Sequence, residues 1–292
     1  MEKLIVTVAL TGSQTTKEQT SYLPMSPEEI AEDAHRCYNV GASIVHLHPR
    51  EPDPKISDFD ALCREVMLIR EKCPIITQIG TGARDRFGRE RSEKERFGLM
   101  DITPKPDMET INTGTFIFRN LSRHRPPGAP EGWFLHYNTP EIIETFAKGL
   151  IERGIGIEFE IYDSGGLFDV ERLYQQQILP TNRPVSFNLV MGVGGGIPVK
   201  PQSLFFLMEN LPSDAHWTVM GIGRHHFTIT TFGMLLGSGG ARVGLEDNIY
   251  LSKGVKAKGN VELVEKIVRI ARDIGREIAT ADEARKILQL PI

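Results

Sequence analysis

His46 and His48 stand at alternate positions in the apolar run Ile44-Val45-His46-Leu47-His48. In an extended strand alternate side chains share a face, so both imidazoles point one way and Leu47 the other. Two nitrogen donors converging within a few ångströms suit zinc, which favours imidazole ligands. The same pair also fits two histidines buried in a core or left at the surface. Far along the chain, Arg242-Val243-Gly244-Leu245-Glu246-Asp247-Asn248 places a guanidinium and two carboxylates at one strand's exit. Glu246 is a candidate third ligand, and two histidines with one carboxylate leave an open position for substrate, the mark of catalytic rather than structural zinc. Without a metal, Glu246 and Asp247 read as a solvent-exposed acidic pair at a helix start.

Further acids lie between these segments. Glu158 and Glu160 share one strand face, and Asp163 follows just before Ser164-Gly165-Gly166. Two acids aimed into one site are costly to bury without a cation, for which Arg242 and the metal are the natural partners. A purely structural Glu–Arg pair satisfies the same requirement. The run Gly192-Val193-Gly194-Gly195-Gly196 lacks the Lys-Ser/Thr of a P-loop, so it reads either as a turn or as bare backbone against which a ligand can lie, and Gly80-Thr81-Gly82 reads likewise. Arg84, Arg86, Arg89 and Arg91 form either a solvated loop or a grip on an anion.

Short β-branched runs alternate with amphipathic segments and supply the elements that must position these groups. Strands are expected at 4–10, 43–48, 75–79, 108–112, 157–161, 185–190, 217–220 and 241–244. Helices are expected from a Ser26 cap with Pro27 and Glu29 to before Gly41, then at 59–72, from Thr139-Pro140 to Gly154, and at 169–177, 202–210, 226–236 and 261–274. The long connection after Phe116 carries a candidate strand at 133–136, and a last helix capped by Thr280 with Glu283 is expected under or beside the rest. Eight βα units predict one (β/α)8 TIM barrel spanning 1–292. An open doubly wound sheet is the alternative, against which stands the absence of a G-x-G-x-x-G after the first strand. A barrel demands that the chemistry sit at the carboxyl ends of its strands.

Composition narrows the function class. The 292 residues are 40% hydrophobic and 25% charged, with a net charge of −4, which is globular and unsuited to a phosphate-gripping nucleic-acid binder. No apolar run reaches a membrane span, and the N-terminal ten residues carry no basic leader or cleavage site. Cys37, Cys63 and Cys73 form no C-x-x-C pair, so a reducing cytoplasm is expected.

Taken together, Val8-Ala9-Leu10-Thr11-Gly12, Ser26-Pro27-Glu28-Glu29, Ile44 to His48 with Arg50, Asn112-Thr113-Gly114-Thr115, Glu158-Phe159-Glu160-Ile161-Tyr162-Asp163 and Arg242 to Asn248 resemble the β-keto acid cleavage enzymes nearly end to end. The last segment is the most specific. The resemblance implies a TIM barrel holding one zinc ion through His46, His48 and Glu246, and a reaction of a β-keto acid with acetyl-CoA that yields acetoacetate and a new CoA thioester. It implies Asp247 as general base, Arg242 beside it and Glu160 as an active-site acid, with a homo-oligomer, a tetramer in the family, as the assembly. Gln14, Gly80, Thr81, Asn112 and Glu158 are expected to contact substrate. Members acting on an amino-bearing substrate have a glutamate in the segment matching Gln14 and a serine near Gly80, so a keto acid with a neutral or anionic tail is expected here. The competing functions are a zinc aldolase or lyase that needs no acetyl-CoA and a barrel that only binds a keto acid or CoA ester.

Overall fold

The computed structural model describes residues 2–50, 53, 55–84, 89–119, 133–180 and 184–290; Arg86 of the arginine cluster lies outside them. In chain order the strands are β1 (Ile5–Ala9), β2 (Ile44–Leu47), β3 (Ile76–Gly80), β4 (Met108–Asn112), β5 (Phe116–Arg119), β6 (Trp133–His136), β7 (Gly156–Ile161), β8 (Ser186–Met191), β9 (His216–Gly221), β10 (Gly240–Val243), β11 (Tyr250–Ser252) and β12 (Val255–Lys256). The helices are α1 (Pro27–Asn39), α2 (Asp58–Lys72), α3 (Glu93–Gly98), α4 (Pro140–Glu152), α5 (Ser164–Gln175), α6 (Pro201–Glu209), α7 (His226–Leu235), α8 (Asn260–Asp273) and α9 (Ala281–Ile287).

Strands β1-β2-β3-β4-β7-β8-β9-β10 run parallel and close on themselves, β10 pairing with β1. This is the (β/α)8 barrel, and closure disposes of the open sheet. The capped helices form where their local chemistry dictates. Ser26 accepts from the Glu29 N–H while the Glu29 carboxylate reaches back to Ser26, and Thr280 does the same with Glu283. Between the strands and the helix ring lie two large apolar clusters, one around Val8, Val45 and Ile267, the other around Phe146, Phe159 and Phe187. The final helix α9 packs under the barrel, where Ala284 and Leu288 meet Ile5, Ile44, Ile76 and Met108 at the strands' amino ends.

Two helices differ from the sequence reading, and one expected strand gains a partner. Helix α5 begins at Ser164 rather than 169, because the Asp163 carboxylate accepts the N–H groups of Gly165 and Gly166 and caps it there. The third βα unit, for which no helix range was expected, carries the short α3, started by a Ser92–Glu95 capping box. The connection after β4 carries the expected strand at 133–136, and this β6 pairs antiparallel with β5 to make a hairpin. Backbone passes so close to Gly195 that any Cβ there would meet the Ile117 carbonyl, while the Arg119 N–H donates to Gly194. The glycine run thus seats this hairpin. Among the described residues no helix is long and apolar enough to cross a membrane.

Glu109 on β4 carries a measurable liability. Thr110 and Asn112 face the barrel mouth, so Glu109 faces the helices, fully buried, and neither of its carboxyl oxygens has a hydrogen-bond partner among the described residues. Burial pushes it from 4.5 up to about 8. The folded chain therefore holds a proton that the unfolded chain releases above pH 4.5, and stability falls as pH rises through that window. Glu109→Gln should match the wild type in urea melts near pH 4.5 and exceed it by roughly 5 kcal/mol above pH 8. Parallel pH profiles for the two proteins would contradict this reading of Glu109.

Candidate active site

His46 projects inward from β2 and His48 follows at that strand's exit, as the period of two requires. Their Nε2 atoms approach to 3.1 Å. Glu246, just beyond β10, brings Oε1 to 3.5 Å from His48 Nε2 and Oε2 to 3.9 Å from His46 Nε2. All three donor atoms fall within 4.8 Å of one another. Burial, helped by the charge of Arg242, holds His46 down at about 4, so its ring is neutral and ligand-ready. Glu246 Oε2 is buried with no hydrogen-bond partner among the described residues, a vacancy in bonding that a cation would fill. The donor set fits a divalent metal.

The backbone around the triad leaves no room for other residues. Gly12 takes φ +58°, and a Cβ there would strike the Glu246 side chain. A Cβ on Gly80 would lie 2.7 Å from His48 Nε2 and 3.2 Å from His46 Nε2. Gly80 therefore makes room for the imidazoles, and it also lines the cavity above them. Arg50 donates to the carbonyls of Gly12 and Thr15 at 2.8 Å, and Asn260 ties Leu10 to Leu245, so the loops after β1 and β10 are clamped beside the triad.

Gln78 on β3 was not singled out by its sequence context. Its Oε1 lies 2.8 Å from His46 Nδ1, and its Nε2 donates to Glu158 Oε1 at 3.2 Å. A proton on Nδ1 donated to Gln78 leaves Nε2 with its lone pair toward Glu246, the usual means of orienting a metal-binding imidazole. Gln78→Leu should weaken metal binding about 10- to 100-fold, measured by competition with a chromogenic chelator; unchanged affinity would remove Gln78 from the metal's support.

Arg242 joins the triad to the remaining acids. Its Nε donates to Asp247 Oδ2 at 3.0 Å, Nη2 to Asp247 Oδ1 at 3.1 Å and Glu246 Oε1 at 2.9 Å, and Nη1 to Glu160 Oε1 at 2.8 Å. Asn112 Nδ2 and the Tyr162 hydroxyl both donate to Glu160 Oε2, at 2.6 and 2.7 Å. Three carboxylates on one guanidinium leave a formal excess of two negative charges, which a divalent ion would balance. Burial and the charge of Glu246 push Asp247 up to about 7 against the pull of Arg242. Glu246 behaves oppositely: burial raises it, but Arg242, His48 and His46 outweigh burial and hold it well below the usual carboxylate range.

These groups share the floor of one cavity of about 1250 Å³ at the carboxyl ends of the strands. Not every expected residue reaches it. Asn112 lines it; Gln14 does so only at the exposed rim, bonded at 3.4 Å to Ser13. Thr81 is corrected: it is fully buried, gives its hydroxyl to the Thr110 carbonyl at 2.5 Å, and does not line the cavity. Glu158 is corrected too, since it lies beneath the floor on Gln78, pushed up to about 7 by burial and by Glu160. Arg84 stacks over Phe134 at 4.3 Å on the cavity wall, whereas Arg89 pairs with Glu95 and Arg91 with Asp58. No local pattern marks the hairpin's inner face, where Phe118, Phe134 and His136 line the cavity and His136 packs against Phe116.

Comparison with known proteins places this arrangement. Residues 3–290 match the profile of the beta-keto acid cleavage enzymes. The chain is 40% identical over 292 residues to 3-keto-5-aminohexanoate cleavage enzyme of Fusobacterium nucleatum, with 99% of each chain covered. It is 32% identical to 3-oxoadipate:acetyl-CoA acetyltransferase of Cupriavidus necator, covering 98% of this chain and 95% of the relative. Among solved structures the apo form of ObcA shares the fold at TM-score 0.73 and 21% identity, over 93% of this chain and 66% of that one. By profile and by full-length identity, the chain belongs to the beta-keto acid cleavage enzyme family.

Proposed function

We propose that this enzyme is zinc-dependent and converts a β-keto acid and acetyl-CoA into acetoacetate and a new acyl-CoA thioester. The observation that carries the reading is the linkage of His46, His48 and Glu246 through one guanidinium to Asp247, all on the floor of a single cavity. The names of the relatives, which include an acetyl-CoA acetyltransferase, support it. Zinc held by His46, His48 and Glu246 would supply a Lewis acid that favours the enolate of a bound keto acid.

The chain's own residues then carry the proton and fix the geometry. Asp247 Oδ1 shares Arg242 Nη2 with Glu246, so it is the less tightly held oxygen and takes the C2 proton. The C2 carbanion attacks the acetyl thioester, forming a carbon–carbon bond and expelling the CoA thiolate. That thiolate adds to the original ketone, the old C2–C3 bond breaks, and acetoacetate leaves after Asp247 returns its proton. Arg242 keeps Asp247 in place throughout, and Asn112 with Tyr162 hold Glu160 against Arg242 Nη1.

The test is a panel of β-keto acids incubated with and without acetyl-CoA. Acetoacetate appearing only with acetyl-CoA, in step with a new thioester, is the expected result. Cleavage of the keto acid without acetyl-CoA would point instead to an aldolase or lyase, and binding without turnover to a sensor. The exposed, neutral Gln14 predicts poor use of an ammonium-bearing tail, so 3-keto-5-aminohexanoate should be turned over more slowly than an uncharged analogue.

A further inference from the structure

The barrel mouth has two unlike sides. The charged groups come from β2, β7 and β10, whereas the ends of β8 and β9 present Val190 and Met220, 3% and 1% exposed, which cluster with Phe116 and Val193 and with the partly buried Phe118, Tyr162 and Ile222. Val190, Met220, Phe118 and Ile222 all line the cavity that holds the triad. The β5–β6 hairpin lies across this wall, its inner face built from Phe118 and Phe134 stacked at 4.7 Å. One charged group borders the wall, Arg84, whose guanidinium is engaged over the Phe134 ring at 4.3 Å; the other polar groups there add no free charge. Burial holds His136 down at about 4, hence neutral, and Glu160 is engaged by Asn112, Tyr162 and Arg242. Arg119, Arg224 and Lys256 are exposed at the rim rather than set into the wall.

We propose that the acyl tail of the keto acid is an uncharged, largely apolar chain seated under the β5–β6 hairpin against Phe118, Val190, Met220 and Ile222. This rests on the acetyl-CoA reading and adds the substrate class. Tyr162, whose hydroxyl bonds Glu160, also belongs to the wall's apolar cluster, so the wall begins where the charged floor ends. A charge on the tail would be desolvated against Phe118, Val190, Met220 and Ile222, none of which offers a counter-ion, while each buried methylene gains about 0.8 kcal/mol, or roughly fourfold in kcat/KM.

The experiment uses the zinc-loaded protein with acetoacetate, 3-oxohexanoate, 3-oxooctanoate, 3-oxoadipate and 3-keto-5-aminohexanoate. Acetoacetate with labelled acetyl-CoA is the degenerate reaction, read as label exchange, and has the smallest tail. The expected result is kcat/KM rising about fourfold per methylene from acetoacetate to 3-oxohexanoate, with 3-oxoadipate and the amino acid at least tenfold below the alkyl series. In Phe118→Ala the ratio of 3-oxooctanoate to acetoacetate should fall about tenfold, and in Ile222→Thr it should fall by less. A merely structural role would lower both substrates together and leave the ratio unchanged, which would overturn the assignment. Preference for a charged tail, or a flat response to chain length, would overturn it as well. Absence of label exchange would overturn the acetyl-CoA reading and the tail assignment together, whereas exchange with a flat profile would overturn the tail alone.

Discussion

His46→Ala should yield a folded protein that retains no stoichiometric zinc and turns over at least about a thousandfold more slowly, since a Lewis-acid metal supplies several kcal/mol of transition-state stabilisation. The imidazole is one of two nitrogen donors, and its Nε2 lies 3.1 Å from that of His48. Glu246 brings the third donor, and no other described side chain joins the group. Glu246→Gln should behave alike for a different reason. An amide keeps the volume and can still accept from Arg242 through its oxygen, but it removes the charge that binds the metal. Metal content by atomic emission, near-native far-ultraviolet dichroism and acetoacetate formation separate the possibilities. A variant that keeps its zinc while losing activity would mean that His46 does not hold the ion. One that loses zinc while keeping activity would mean that catalysis does not need it.

The barrel was legible because each element carries its own local cause. Ser26-Pro27-x-Glu29 and Thr280-x-x-Glu283 are capping boxes, and a period of two at His46 and His48 is sufficient to put both rings on one face. Strand neighbours follow from barrel order, which is why Glu246, beyond β10, was expected beside a strand from the other end of the chain. What escaped were contacts set by tertiary placement alone. Gln78 sits in an apolar strand where nothing local distinguishes a core glutamine from a histidine's partner. Thr81 follows Gly80, and only the actual turn shows its hydroxyl pointing at Thr110 rather than at the cavity. The cap that Asp163 gives α5, its carboxylate accepting two N–H groups, is likewise visible only in the fold. The inner face of the β5–β6 hairpin was hidden for a further reason. Its aromatics alternate with exposed Ile117, Trp133 and Leu135, so both faces read as apolar and the pattern alone does not tell which one turns inward.

Arg242→Lys should cost about 3–5 kcal/mol of stability in metal-free protein at pH 8, and most of that loss should disappear on adding zinc or lowering the pH. The wild-type guanidinium is 3% exposed and serves Glu160, Glu246 and Asp247 at once through its planar fork. A lysine ammonium is a single centre on a flexible stem and cannot reach all three in that geometry. At least one carboxylate is then buried without a counter-ion, and its folded-state value rises above the unfolded one. A raised carboxyl is protonated in the folded chain while ionised in the unfolded chain, so stability declines as pH climbs and recovers as pH falls toward 5. A divalent cation on Glu246 supplies the missing positive charge, so zinc should stabilise the lysine variant more than the wild type. Urea melts at pH 5 and 8, each with chelator and with zinc, give the four values needed. An equal loss in all four would mean that Arg242 fills space and that its charge is not what holds the three acids together. Activity should fall about 10²- to 10³-fold even in the zinc-loaded variant, because Asp247 loses the two-point contact that aims it, and a displaced base loses orientation without losing its proton affinity.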